Sequence, residues 1–175
     1  MALSVIVPTY NERENIGPLL ERIDATLDSE YEVVVVDDDS PDGTWEVARE
    51  HADEYPVRVV RRREESGLAT AVVRGIEEAT YDVLVVMDAD LQHPPETIPD
   101  LLAALEDGAD IAVGSRLVEG GGMPDFGPHR RLISYGANLV ARILLREVRG
   151  VRDLQSGFFA FRRSVVWGAD LAPRG

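Results

Sequence analysis

Apolar positions along the chain fall into two alternating rhythms. Runs at 3–7, 33–36, 57–60, 83–87 and 111–113 are short and rich in β-branched residues, which predicts buried strands. Between them, the stretches 15–27, 44–51, 68–79 and 95–106 place apolar residues three and four apart, which predicts amphipathic helices. This strand–helix alternation argues an α/β fold with a mostly parallel sheet covered on both faces. Polar clusters follow four of the strands, at 8–11, 37–42, 88–93 and 114–116. Ligands settle at the carboxyl edge of such sheets, so the four clusters are expected to converge on one site.

Beyond Arg116 the texture changes. Gly120, Gly121 and Gly122, then Pro124, Gly127 and Pro128, form a turn-rich connection. It divides a single domain, 1–175, into a first half, 1–119, and a second half, 120–175. In the second half 129–148 has a helical, amphipathic pattern and 156–161 a strand-like, aromatic one.

The chain has 32 acidic and 18 basic residues, a net charge of −14, which argues against a nucleic-acid surface. Positive charge is nevertheless concentrated at 126–152, where Arg130, Arg131, Arg142, Arg146, Arg149 and Arg152 face only Glu147. Leu132, Ile133, Leu139, Val140, Ile143 and Leu144 are interleaved at helical spacing, so this island suits a membrane interface beside an anionic head group. An ordinary core-facing helix with a solvated arginine face is the alternative. With no cysteine, disulfides and thiolate metal sites are excluded. No charged leader precedes the first strand, and no apolar run approaches the ~18 residues of a spanning helix. The chain is therefore expected to be cytoplasmic.

The strongest chemical signal is VLVVMDADLQ at 83–92, an apolar strand ending in Asp88 and Asp90. On extended backbone, residues two apart share a face, so these carboxylates can hold one hard cation, Mg²⁺ or Mn²⁺. Gln92 continues the spacing as a third oxygen donor. The plainer reading is a loop that begins the helix after Pro94 and Pro95. VVVVDDDSPDGT at 33–44 places three adjacent acids at another strand end. Asp37 and Asp38 can accept hydrogen bonds from a base or ribose, while mutual repulsion leaves Asp39 to solvent. Asp42 and Thr44 suit a helix cap. In the first cluster Tyr10 can stack on a base, and Asn11 and Glu12 serve either the ligand or the next helix.

Together these segments resemble the family 2 glycosyltransferases. The resemblance is closest to the polyprenyl-phosphate sugar synthases, such as the dolichol-phosphate mannosyltransferases. It rests on SVIVPTYNERENI (4–16), VDDDSPDGT (36–44), MDADLQHPPE (87–96), GSR (114–116), RRLIS (130–134) and SGFFAFRR (156–163). It implies a type A glycosyltransferase fold, a GDP-mannose or UDP-glucose donor, and a dolichyl or polyprenyl phosphate acceptor. Pro8, Tyr10, Glu12, Asp37, Asp38, Gly67 and Asp88 are thereby expected to bind the donor, with Asp88, Asp90 and Gln92 around the metal. Asp90, Arg116 and Arg130 are expected to be catalytic. Ser134, with Arg116 and Arg130, matches family positions that handle the phosphates of donor or acceptor, and Asp153 and Ser156 are expected on the acceptor side. Position 39 is Asp where relatives usually have Asn, and 62–68 replaces a basic Gly-Lys pair. Counterparts of the family's C-terminal helix and basic loop are not found before Gly175, so a missing C-terminal segment or a membrane-anchored partner is expected.

A lipid phosphate, with a second pKa of about 6, is already a charged nucleophile near neutral pH, so direct displacement with inversion needs no general base. Three other folds are disfavoured. A receiver domain requires a lysine, a dinucleotide-binding oxidoreductase a Gly-x-Gly-x-x-Gly turn after the first strand, and a sugar-nucleotide pyrophosphorylase a lysine-bearing glycine-rich loop. The remaining alternative is a nucleotide-sugar-binding module without catalysis.

All 18 basic residues are arginine. An acidic, lysine-free surface suits a salt-rich, halophilic cytoplasm, where carboxylate hydration resists salting-out and self-repulsion is screened. The melting temperature is expected to rise on adding molar KCl; a fall would count against halophily.

Overall fold

The computed structural model describes residues 1–114 and 157–166. Its strands are β1 (Leu3–Thr9), β2 (Tyr31–Asp37), β3 (Val57–Arg61), β4 (Val83–Val86), β5 (Ile111–Val113) and β6 (Phe159–Arg162). The helices are α1 (Arg13–Thr26), α2 (Thr44–Glu50), α3 (Leu68–Glu78) and α4 (Ile98–Glu106). One sheet holds all six strands in the order β3-β2-β1-β4-β6-β5.

Side-chain alternation explains why the strand sequences are apolar throughout. Leu3, Val5 and Val7 of β1 face a core shared with Ile16, Leu19 and Ile23 of α1 and with Ile98, Leu101 and Leu105 of α4. Ile6 points the other way, onto Val72 and Ile76 of α3. β4 repeats the division, with Val83 and Val85 on the first face and Leu84 and Val86 on the second. Each such side chain contributes about 1.5–3 kcal/mol by leaving water, and helices on both faces remove the polar stripe that a half-exposed strand would need.

Strands β3, β2, β1 and β4 are parallel neighbours. The chain steps from β1 outward to β2 and β3, then returns through α3 to β4 on the opposite side of β1. β1 and β4 therefore flank the point where strand order reverses, and a crevice opens beyond their carboxyl ends. β6 is the exception, running antiparallel between β4 and β5. It begins later than the expected 156–161, after Gly157 and Phe158. Arg163 then anchors this segment by donating to the carbonyls of Ile76 (2.8 Å), Ala79 (2.6 Å) and Tyr81 (2.9 Å), closing the carboxyl end of α3.

The helix bounds also shift. α1 starts at Arg13 rather than 15, and the expected helix at 95–106 opens as a 3-10 turn, Pro95–Thr97, before α4. α3 lies unusually close to the sheet at Gly75, where an added Cβ would stand 2.3 Å from Ile6 Cγ2. Gly75→Ala gains about 1 kcal/mol of helix propensity, but overpacking of this kind costs typically 1–3 kcal/mol. Urea denaturation is expected to show a net loss of up to about 2 kcal/mol; a stabilised variant would contradict this packing.

Candidate active site at the carboxyl edge of the sheet

The loops after β1 and β2 are built as one unit. Beyond Thr9, Tyr10 is 59% exposed and Asn11 adopts a left-handed conformation (φ 59°). Three successive amides then donate to the β2–α2 loop: Asn11 to Ser40 Oγ (3.0 Å), Glu12 to Thr44 Oγ1 (2.9 Å) and Arg13 to Asp42 Oδ2 (3.2 Å). The free amides at the start of α1 are thus capped by a different loop, not by Asn11. Burial pushes the Asp42 carboxyl up, but hydrogen bonds from Thr44 and the Arg13 amide outweigh it and hold the group below the usual aspartate range.

Asp37 is fully buried and satisfied within the chain. It accepts from the Ser40 amide (2.8 Å), Ser40 Oγ (2.6 Å) and Thr9 Oγ1 (2.8 Å), binding the ends of β1 and β2 together. Asp38 accepts from Arg62 Nε (2.7 Å) and the Gly67 amide (2.7 Å). Asp39, expected to be left to solvent, is exposed but pairs with Arg61. The Arg61 guanidinium lies 3.8 Å from the Trp45 ring centroid, a cation–π contact. Repulsion among the three acids is therefore relieved by the β3 edge, whose register sets Arg61 opposite Asp37.

The third cluster departs from the extended backbone assumed for it. β4 ends at Val86, residues 89–91 form a bend, and Leu91 is left-handed (φ 58°). The sharing of a face by Asp88 and Asp90 thus cannot be inherited from a strand. It depends on this turn, in which Asp90 Oδ1 accepts the Gln92 amide (3.1 Å). Asp88 lies against Gly157, where an added Cβ would stand 2.1 Å from Oδ2. His93 is buried, its ring 5.4 Å from that of Phe158. Behind this loop Arg22 of α1 grips Glu96 with both ends of its fork (2.9 and 2.6 Å), and that hydrogen bonding holds the Glu96 carboxyl below its usual range.

Among the described residues no group of three or more His, Cys, Asp or Glu side chains forms a metal cage. Asp88, Asp90 and the Gln92 carbonyl offer hard oxygen donors but too few to complete a shell. That donor set fits Mg²⁺ or Mn²⁺, which keep positions for water and phosphate oxygens. Arg116, Arg130, Ser134, Asp153 and Ser156, and the basic island at 126–152, lie outside the described residues. Sequence reasoning did not single out Ser40, Arg61, Arg62 or Gly157. Only Ser40, two residues before the Asp42 cap and within a recognisable turn, left a local signal. No described helix is long and apolar enough to cross a membrane.

The profile described as glycosyl transferase family 2 matches residues 4–168. A dolichol-phosphate mannosyltransferase of Pyrococcus furiosus is 57% identical over 176 residues, covering 100% of this chain and 50% of its own length. A polyprenol monophosphomannose synthase of Mycolicibacterium smegmatis is 41% identical, covering 96% of this chain and 64% of its own. This chain therefore spans about half to two thirds of those relatives. A solved mannosyltransferase from Pyrobaculum calidifontis, in complex with GDP-Man and Mn²⁺, superposes with a TM-score of 0.64 at 25% identity, over 93% of this chain and 44% of that one.

The contact between Asp88 and Gly157 gives a direct test. Gly157→Ala is expected to displace the carboxylate and weaken binding of Mn²⁺ with GDP roughly tenfold or more, measured by calorimetry. Unchanged binding would show that this close approach is dispensable.

Proposed function

Because this chain belongs to glycosyl transferase family 2, we propose that it transfers mannose from GDP-mannose to a dolichyl or polyprenyl phosphate at the cytoplasmic face of a membrane, with inversion at the anomeric carbon. The activity is that of the whole protein, of whose relatives this chain matches about half to two thirds. The observation that carries the reading is the meeting of two site components at the switch point of the sheet. Exposed Tyr10 and the interlocked β1 and β2 loops stand beside β1, and the Asp88–Gln92 loop stands beyond β4. The similarity to dolichol-phosphate mannosyltransferase along the whole chain favours mannose and a lipid phosphate.

In this reading Tyr10 stacks on the base, while Pro8, Glu12, Asp37, Asp38 and Gly67 shape the nucleoside pocket. Asp88, Asp90 and Gln92 would hold Mg²⁺ or Mn²⁺, whose chemistry is to offset charge on the departing diphosphate. Arg116 and Arg130, with Ser134, Asp153 and Ser156, receive the acceptor phosphate. Its charged oxygen attacks the anomeric carbon, a new carbon–oxygen bond forms there, and the bond to the nucleoside diphosphate breaks with its electron pair leaving on GDP. No proton need be removed, so the step requires no general base. The basic island at 126–152 suits the anionic membrane surface from which such an acceptor comes.

Incubation with Mn²⁺, labelled GDP-mannose and a short polyprenyl phosphate is expected to yield a charged, β-linked mannolipid. Asp90→Asn is expected to lower turnover by about a hundredfold or more with little change in melting temperature; equal turnover would contradict its role. A product from UDP-glucose alone would correct the donor. The same assay separates this function from a second reading, a nucleotide-sugar-binding module without catalysis. Donor binding with no mannolipid from this chain would support it.

A further inference from the structure

Arg62 follows β3 directly and is one of the few buried charges among the described residues, 6% exposed. Its guanidinium is engaged on every side. Nε donates to Asp38 Oδ1 (2.7 Å), Nη1 to Thr70 Oγ1 (2.8 Å) and Nη2 to the Gly67 carbonyl (3.0 Å). The same Asp38 accepts the Gly67 amide on its other oxygen (2.7 Å), closing a ring through Arg62, Asp38 and Gly67. Main-chain bonds extend the ring into the sheet, since the Arg62 amide donates to the Asp37 carbonyl (2.7 Å) and the Asp38 amide to the Thr9 carbonyl (3.2 Å). One side chain thus ties the ends of β1 and β2 to the start of α3.

The end of the segment so restrained also accepts from α3, where Thr70 Oγ1 donates to the Ser66 (3.3 Å) and Gly67 (2.9 Å) carbonyls and the Ala71 amide to the Gly67 carbonyl (3.0 Å). Residues 63–67 are all exposed, and Gly67 has a positive φ (120°), which glycine adopts without a Cβ clash. Glu65 approaches Arg62 Nη1 at 3.6 Å but is 69% exposed, so Asp38 is the partner that offsets the buried charge.

We propose that Arg62 is a positioning residue for the donor nucleotide: through Asp38 and Gly67 it holds the β3–α3 connection as a fixed rim of the nucleoside pocket. It touches no reacting atom, so its effect falls on nucleotide affinity and not on the transfer step. The inference rests on the nucleotide-sugar reading above. A neutral residue at 62 leaves Asp38 an uncompensated acid at the rim, where it both repels phosphate and releases Gly67. Lysine restores the charge but not the fork that reaches Thr70 and Gly67.

The test compares wild type, Arg62→Gln, Arg62→Lys and Thr70→Val, with calorimetry of GDP in Mn²⁺ and steady-state transfer from GDP-mannose by the full-length protein. Arg62→Gln is expected to raise the GDP dissociation constant and the donor KM roughly tenfold, with kcat within about twofold. Arg62→Lys should recover part of that loss. Thr70→Val, which removes one acceptor of Arg62 and one donor to the Gly67 carbonyl but leaves Asp38 paired, should shift affinity about threefold, and it stands in should Arg62→Gln fail to fold. Affinity and KM at wild-type values in folded variants would overturn the proposal while leaving the nucleotide reading intact. So would a fall confined to kcat. Wild-type protein that binds neither GDP nor UDP would remove both.

Discussion

The structure is governed by an electrostatic constraint, the gathering of many carboxylates at one edge of a parallel sheet. Asp37, Asp38, Asp39, Asp42, Asp88 and Asp90 all emerge within a few residues of the ends of β2 and β4. Like charges 4 Å apart repel by about 4 kcal/mol at the effective dielectric of a protein surface, a sizeable part of the stability of a small domain. Each carboxylate of the β2 loop has its own remedy. Asp37 is met by amide and hydroxyl donors, Asp38 by Arg62, Asp39 by Arg61, and Asp42 by Thr44 and the start of α1. In the β4 loop Asp90 accepts the Gln92 amide and Asp88 lies against Gly157.

The same edge concentrates backbone strain. The non-glycine residues with left-handed backbone among those described are Asn11, Asp39 and Leu91, one after each of β1, β2 and β4. Such conformations cost of order 1 kcal/mol or more each and persist where the surroundings enforce them. Here the enforcement is visible: Ser40 holds the Asn11 amide, Arg61 holds Asp39, and Asp90 closes the turn containing Leu91. Sharp reversals thus follow three strand ends at one edge of the sheet.

Much of this was legible in the sequence because burial on both sheet faces leaves an unmistakable apolar run, as in Val33–Val36 and Val83–Val86. The order of runs and amphipathic stretches gave the architecture, and the acids at strand ends gave the edge. What escaped was long-range pairing. Arg61 and Arg62 look like any surface arginines until β3 is set beside β2, where register brings them to the three acids. Gly157 lies 69 residues from Asp88 in sequence, and only the antiparallel placement of β6 beside β4 brings them together. The geometry expected of Asp88 and Asp90 fails for a local reason: the strand stops at Val86, before either acid, and an Asx-type turn around Leu91 replaces extended backbone.

The proposed function requires that Asp88 and Asp90 accept a diphosphate only together with a divalent cation. Calorimetric titration of GDP-mannose in Mn²⁺ and again in EDTA tests it directly. The account predicts affinity at least about a hundredfold weaker in EDTA. Equal affinity in both would contradict it, leaving two carboxylates beside a phosphate with nothing to reconcile them.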